Sequence, residues 1–197
     1  MVKIESAIIL CGGKSTRMGF DKQNIRIHDR PIVLHIASQL EPLVNEIIIV
    51  TNTPERYDSS GYRVVGDVLK DCGPIAGVYS GLLNSSSQFS YVVAGDMPFI
   101  NQDYIRYLEK ILKSTEEDLD VLAMRRKGII EPFHAAYSKS VCPLLYEYIQ
   151  QKNYRLYKLI ESANTRYIEE REGSKFDITD EMFINLNTVR DLDDHNL

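Results

Sequence analysis

The sequence predicts an α/β fold, a mainly parallel β-sheet with helices on both of its faces. Four short aliphatic runs in the first 115 residues alternate with stretches whose apolar positions recur at helical spacing. This alternation is typical of βαβ units joined by right-handed crossovers. Glycine-rich or polar residues follow the aliphatic runs, where such a sheet binds its ligands. Because the 197 residues contain no repeat or linker, we expect one Rossmann-like domain over residues 1–197.

The first unit combines an aliphatic run at residues 7–10 with a glycine-rich basic loop. Residues 11–22 contain three glycines, two hydroxyl side chains and the cations Lys14, Arg17 and Lys22. Glycines let backbone N–H groups approach a ligand closely, and the cations supply charge for phosphate oxygens. We therefore interpret the loop as a polyphosphate site in preference to a solvated basic turn.

Two common phosphate loops do not fit this stretch. A Walker A loop requires a glycine five positions before Gly13, where the sequence has Ile8. The dinucleotide fingerprint G-x-G-x-x-G fails as well, because Lys14 stands where its second glycine belongs if Gly12 is the first. The pattern that remains is L-x-G-G-x-S-x-R-M-G-x-D-K.

The second unit is a helix that starts at Pro31 and a strand at residues 46–50. The strand ends at Thr51 and Asn52, and these polar side chains are candidate nucleotide contacts because the ends of parallel strands form the ligand edge. The apolar side of the helix is predicted at Ile32, Leu34, His35, Ile36 and Leu40.

The third unit has a strand at residues 63–65, followed by Asp67 and a helix that starts at Pro74. Gly77 and Gly81 keep one face of this helix thin, so we expect another group to approach it closely. We consider two roles for Asp67. It contacts a ribose hydroxyl or a guanine N–H group, or it is a solvated turn residue.

The fourth unit has a strand at residues 91–94 that runs directly into Gly95 and Asp96. A carboxylate at the end of a buried strand, next to a glycine, suits Mg²⁺, which prefers oxygen ligands and substrate phosphates. The alternative role for Asp96 is a helix cap. Asn101 or Asp103 is the better cap for the following helix, which is predicted to run through Leu112.

The last eighty residues lose this regular alternation. Strands are predicted at residues 119–124 and 129–137 around a basic turn at 125–128, and helices at 141–149 and around 156–160. Residues 169–175 have the composition of an exposed loop. In the extended segment that follows, Asn185 and Asn187 are two positions apart, which places both amides on one face. Either these amides contact a ligand, or they belong to a polar edge strand.

Composition excludes several classes of function. A net charge of −5 and a pI near 5.4 argue against coating nucleic acid or an anionic membrane. Residues 14–30 nevertheless have five cations against two carboxylates, a local net charge of +3 that fits a small anionic ligand. Cys11, Cys72 and Cys142 show no metal or redox spacing and are expected to be reduced. With no leader-like or membrane-length apolar run, the expected location is the cytoplasm.

Four features together resemble the molybdenum cofactor guanylyltransferases over nearly the full chain. They are the L-C-G-G-K-S-T-R-M-G-F-D-K loop, the stretch from Asp67 to G-P-I-A-G, the G-D-M-P strand end and the late N-L-N-T. Two positions depart from the usual pattern. Cys11 replaces an alanine, and Val189–Arg190 replaces a frequent Pro-Glu pair.

The resemblance implies a nucleotide-diphospho-sugar transferase-like fold and transfer of GMP from Mg-GTP to the terminal phosphate of molybdopterin cofactor. Residues 1–115 would then bind the nucleotide and residues 116–197 the acceptor, with transient contact to molybdoenzymes or cofactor-delivery proteins. A cytidylyl- or uridylyltransferase and a non-catalytic cofactor carrier remain alternatives. The motifs and the resemblance together give the expected roles: catalysis by Arg17, Lys22 and Asp96, GTP binding by Leu10, Cys11, Gly12, Gly13, Lys22, Asn52, Asp67 and Asp96, Mg²⁺ binding by Asp96, and acceptor binding by Gly77, Asn185 and Asn187. Arg17 and Asn52 come from loop charge and strand-end position, and the others occupy positions of the family's motifs.

Overall fold

The fold is a seven-stranded sheet with helices on both faces. The computed structural model describes residues 3–12, 25–173, 176, 180–186 and 191. Within them the strands are β1 (Ile4–Cys11), β2 (Arg26–Ile27), β3 (Arg30–Pro31), β4 (Glu46–Thr51), β5 (Arg63–Val65), β6 (Phe89–Ala94), β7 (Val121–Arg126), β8 (Ile129–Ser138) and β9 (Thr165–Glu169). The helices are α1 (Ile32–Leu40), α2 (Pro74–Asn84), α3 (Gln102–Ser114), α4 (Cys142–Gln150), α5 (Leu156–Ser162) and α6 (Glu170–Gly173).

The strand order of the large sheet is β5-β4-β1-β6-β8-β7-β9, and β2 pairs with β3 in a separate small ribbon. β8 runs antiparallel to both of its neighbours, while the other pairs in the large sheet are parallel. The mainly parallel sheet is thus confirmed. The chain passes from β1 to β4 and β5 on one side and returns to β6 on the other, so the order reverses beside β1. Such a reversal opens a ligand crevice at the carboxyl ends of the strands.

The core consists of one apolar layer on each side of the sheet. Helices α1 and α3 bury their apolar side chains on one face. Met182, Phe183 and Leu186 of the late segment, which comprises residues 180–186, pack on the same face. Helices α2, α4 and α5 cover the other face. Alternate residues of β1 point to opposite layers, which is why this strand is a nearly continuous aliphatic run.

Helix α2 lies unusually close to β1 because it has glycines on the side that faces the strand. A Cβ atom built on Gly81 would lie 2.5 Å from Cγ2 of Ile8, a separation that real Cβ atoms do not show. The group that approaches the thin helix face at this glycine is therefore the protein's own first strand. Sequence reasoning expected a close neighbour here without identifying it.

Two local expectations were wrong. The predicted loop at residues 169–175 instead contains the end of β9 and the short helix α6. The Glu172 carboxylate stabilises this turn, because it accepts hydrogen bonds from the Tyr107 hydroxyl at 3.0 Å and the Arg166 guanidinium at 2.8 Å. In α1, Val33 and Ala37 are buried where Leu34 and His35 were expected, and both of those side chains are only half-buried.

The late segment, residues 180–186, begins with a turn. Asp180–Phe183 forms a 3-10 turn, and Asn185 follows it as an exposed residue. Asn187 lies outside the described residues, so its shared face with Asn185 stays a prediction. In the part of the chain that the structure describes, no helix has both the length and the apolarity needed to span a bilayer.

Candidate active site

The ends of β1 and β6 meet at the point where the strand order reverses. The N–H group of Gly95 donates a 2.9 Å hydrogen bond to the carbonyl oxygen of Leu10. A Cβ atom on Gly95 would lie 3.1 Å from both that oxygen and Sγ of Cys11. The glycine before Asp96 therefore permits the end of β6 to pack directly against the start of the glycine-rich loop.

Asp67 is the centre of a second group of predicted site residues. The Asn52 amide donates a 3.2 Å hydrogen bond to Oδ2 of Asp67. A Cβ atom on Gly12 would lie 4.0 Å from that oxygen, and one on Gly77 would lie 3.6 Å from Oδ1. Partial burial raises the pKa of Asp67, and the hydrogen bond from Asn52 opposes this rise. A carboxylate placed in this way accepts hydrogen bonds from a ligand's hydroxyl or N–H groups.

Thr51 and Asn52 have different roles, although both were candidate nucleotide contacts. Thr51 is buried, and its hydroxyl accepts a 3.1 Å hydrogen bond from the N–H group of Thr53. It therefore shapes the turn after β4. Asn52 is exposed and holds Asp67.

Asp96 is half-buried directly after β6 and is linked to the late segment of the chain. Its carbonyl oxygen accepts a 2.8 Å hydrogen bond from the N–H group of Leu186, which brings the neighbouring Asn185 to the same edge. Burial, together with the nearby charge of Asp96, raises the pKa of the Cys11 thiol. Cys11 is therefore a protonated packing residue, not a nucleophile.

The structure brings most of the predicted residues to one edge of the sheet, in two adjoining groups. One contains Leu10, Cys11, Gly12, Asn52, Asp67 and Gly77, and the other contains Asp96 and Asn185. The Gly95 contact with Leu10 and Cys11 joins them. Gly77, predicted on the acceptor side, lies against Leu10 and Asp67. Gly13, Arg17, Lys22 and Asn187 lie outside the described residues.

The donor atoms at this edge fit a hard divalent cation. Asp96 offers carboxylate oxygens beside a residue that has no side chain. Among the described residues, no group of three or more His, Cys, Asp or Glu side chains is arranged to hold a metal ion. This donor set suits Mg²⁺, which takes one or two carboxylates and completes its shell with substrate phosphates and water.

Sequence reasoning missed a buried polar pair beneath the late segment. The Tyr91 hydroxyl lies 2.6 Å from Nδ1 of His134, and the His134 ring packs edge-on against Phe183. Burial lowers the pKa of His134 to about 3, so the imidazole is neutral. His134 has a φ of +53° within β8, which marks an irregularity in that strand. An isolated histidine in an apolar stretch gave no signal of this pairing.

A second missed feature is a cavity beside the same edge, between α2, the β7–β8 hairpin and α5. Its volume is about 830 Å³, and its lining includes Phe133, Tyr154, Tyr157 and Glu161. The sequence signal was weak: two tyrosines three positions apart in a polar stretch.

Comparison with known proteins agrees with this architecture. The family model described as the MobA-like NTP transferase domain matches residues 7–167. The chain is 40% identical to a probable molybdenum cofactor guanylyltransferase of Peptoclostridium acidaminophilum, over 95% of this chain and 86% of that protein. It is 38% identical to a molybdenum cofactor guanylyltransferase of Syntrophotalea carbinolica, over 98% of this chain and 90% of that protein.

A solved structure is similar as well. The molybdopterin-guanine dinucleotide biosynthesis protein A of Archaeoglobus fulgidus superposes with a TM-score of 0.80 at 25% identity, over 96% of this chain and 95% of that one. The predicted fold class is thereby confirmed, and with it the expectation of a nucleotidyltransferase. The chain belongs to the MobA-like NTP transferase family.

Proposed function

We propose that this enzyme transfers GMP from Mg-GTP to the terminal phosphate of molybdopterin cofactor. The products are the guanine dinucleotide form of the cofactor and pyrophosphate. The observation that carries the proposal is that Gly12 lies against Asp67 while Gly95, next to Asp96, packs against Leu10 and Cys11 at the strand-order reversal, in a chain whose relatives are named for this reaction.

The nucleotide occupies the edge formed by residues 10–13, Asn52 and Asp67. Asp67, held by Asn52, accepts hydrogen bonds from the guanosine. Lys22 and Arg17 neutralise the triphosphate and the departing pyrophosphate through charge and position. Residues 1–115 would thus form the nucleotide-binding part.

Asp96 would hold Mg²⁺ together with the phosphates of GTP, and the ion would stabilise the charge that develops on them. The chain's own residues align the two substrates. An acceptor phosphate is already anionic at neutral pH, so its oxygen attacks the α-phosphorus without a general base while the bond to pyrophosphate breaks. Asn185, Asn187 and Gly77 contact the acceptor, within an acceptor-binding part at residues 116–197.

The proposed location is the cytoplasm, because Cys11, Cys72 and Cys142, all in the described part of the chain, form no disulfide. The product would pass to molybdoenzymes or delivery proteins through transient contacts. Neither nucleic acid nor a membrane is a proposed partner, given the net charge of −5.

The deciding experiment is pyrophosphate release with each of the four nucleoside triphosphates, with and without molybdopterin. We expect release only with GTP, acceptor and Mg²⁺ together. Release with CTP or UTP would instead identify a cytidylyl- or uridylyltransferase. GTP binding without any release would identify a carrier.

In the same assay Lys22→Ala should lower turnover while the circular dichroism spectrum stays unchanged.

A further inference from the structure

None of the described residues assigned a role above lines the cavity beside α5. Its walls come from the start of α2, from the β7–β8 hairpin and from the segment that leads into α5. Its volume of about 830 Å³ lies within the range of small-molecule sites. Its lining includes Pro74, Ile129, Phe133, Tyr154, Tyr157 and Glu161.

The cavity adjoins the nucleotide edge through two physical connections. Pro74, which lines the cavity, is the first residue of α2, and Gly77 in the same turn of that helix faces Asp67. The Tyr154 side chain also lies close to the Cys72 thiol, and Cys72 lies in the segment between Asp67 and α2. A ligand that fills the cavity therefore has one end beside the nucleotide site.

The hairpin that forms one wall also contacts the late segment. Arg126 and Lys127, at its tip, both pair with Asp180, five residues before Asn185. Arg126 lies over the Phe183 ring as well, at 4.5 Å from its centroid. The acceptor-side residue Asn185 and the cavity are thus connected through the same hairpin.

The lining combines flat apolar surfaces with one carboxylate. Phe133, Tyr154 and Tyr157 present aromatic rings, and Ile129 at the rim is 64% exposed. Exposed apolar residues gathered around a concavity are typical of a binding groove. Arg125 stacks on Tyr167 and pairs with Glu169, which leaves Glu161 as the charged group best placed to select a ligand.

The Glu161 carboxylate can accept further hydrogen bonds. Its Oε2 pairs with Lys158 at 2.8 Å, and a carboxylate offers about four lone-pair sites. Aromatic walls bind planar rings by stacking, and a carboxylate at their edge accepts two parallel hydrogen bonds from an amino group and an adjacent ring N–H. A 2-amino-4-oxo-pyrimidine edge has that donor pair.

We propose that this cavity binds the pterin ring of the acceptor, with Glu161 accepting hydrogen bonds from the 2-amino group and the adjacent ring N–H. This assignment rests on the proposed function, because it takes the acceptor to be a pterin. It adds the ring-recognition site and a specificity-determining residue.

The test uses 6-hydroxymethylpterin, whose fluorescence is quenched by stacking, and 6-hydroxymethyllumazine, which has an oxo group in place of the 2-amino group. We expect the full-length protein to bind the pterin more tightly than the lumazine. Glu161→Gln should weaken pterin binding by about tenfold and remove the preference. Tyr157→Ala should weaken both ligands, whereas Tyr157→Phe should bind both normally. Glu147→Gln, on an exposed residue of α4, is the matched control.

Equal pterin affinity in Glu161→Gln and the parent protein, with unchanged circular dichroism, would overturn the assignment, and so would an absence of saturable quenching. GTP binding and pyrophosphate release are measured on the same preparations. Normal pyrophosphate release by Glu161→Gln would exclude the pterin-ring site and leave the proposed reaction standing. If pterin binding depends on Glu161 but no pyrophosphate is released from GTP and molybdopterin, the proposed reaction is excluded and the ring site stands.

Discussion

At the scale of single residues, Asp96 is where the local sequence and the tertiary contacts agree most closely. It follows a buried strand, adjoins a glycine and is bonded through its carbonyl oxygen to the late segment. We expect Asp96→Asn to lower turnover by about 100-fold or more, because the amide carries no charge to hold a divalent cation against the triphosphate. The measurement is pyrophosphate release across a range of Mg²⁺ concentrations.

The matched control is Asp103→Asn in the first turn of α3. Asp103 is exposed and pairs with Arg106, so its loss should leave turnover unchanged. If Asp96→Asn and Asp103→Asn had the same rate, Asp96 would have no part in the chemistry.

Because His134 is buried as a neutral side chain, we expect the folded protein to lose stability at acid pH. Its folded pKa of about 3 lies below the ordinary value of 6.5, so unfolding takes up a proton between these two pH values. The contribution to stability is complete above about pH 7 and is lost as the pH falls toward 3. The free energy of unfolding should fall by about 1.4 kcal/mol per pH unit near pH 5 from this residue alone.

His134→Asn isolates this term, because asparagine tolerates the positive φ and does not titrate in this range. Urea unfolding at several pH values should give a shallower pH dependence for the variant. Other acid-sensitive groups, such as the hydrogen-bonded Glu46, are common to both proteins. Parallel curves would mean that His134 is not buried as a neutral side chain.

At the scale of elements, two glycines of α2 have different roles. Gly81 allows close packing on β1, and Gly77 lies at the proposed ligand-binding edge. A methyl group at Gly81 would lie 2.5 Å from Ile8, so β1 and α2 would have to move apart. We expect Gly81→Ala to reduce the free energy of unfolding by about 1–3 kcal/mol. For a chain of this size each kcal/mol corresponds to roughly 2–4 °C in melting temperature, measured by calorimetry.

Gly77→Ala, one turn earlier, should behave differently. Its methyl group would meet the end of the Leu10 side chain at 3.2 Å and Oδ1 of Asp67 at 3.6 Å. Leu10 can change its side-chain angle, so stability should fall less than in Gly81→Ala. The Michaelis constant for GTP should rise in Gly77→Ala, because the Leu10 side chain that has to move belongs to the proposed nucleotide-binding edge. A larger stability loss in Gly77→Ala than in Gly81→Ala would contradict this reading.

The elements that sequence reasoning found are those with strong local signals. The strands before Thr51 and Gly95 are aliphatic runs with clear ends, and their positions are confirmed. The prediction was wrong at α6, where polar composition indicated a loop. There a long-range contact between Glu172 and Tyr107 outweighs local composition, and no pattern within residues 169–175 reveals such a partner.

At the scale of the whole molecule, the proposed nucleotide-binding edge consists of segments far apart in the chain, so ligand binding should stabilise the entire fold. A ligand at 100 times its dissociation constant adds about 2.7 kcal/mol. We therefore expect Mg-GTP to raise the melting temperature by about 5–10 °C, as measured by calorimetry.

The comparison nucleotide is Mg-ATP, which should give a clearly smaller shift if Asp67 selects guanosine. Lys22→Ala should reduce the GTP shift, because the proposed role of Lys22 is to neutralise charge on the triphosphate. Equal shifts with GTP and ATP in the parent protein would contradict base selection at Asp67.

The sequence by itself determined the fold class, the strands that end in chemically useful residues, and the resemblance of the glycine-rich loop to nucleotidyltransferases. Such signals are local, because periodicity and turn chemistry act over a few neighbouring residues. Only the tertiary structure decided that Gly77 faces Asp67, that Leu186 holds Asp96, and that Phe133 and Glu161 line one cavity. These contacts follow from strand order and from burial of apolar side chains against the sheet, which involve the whole chain at once.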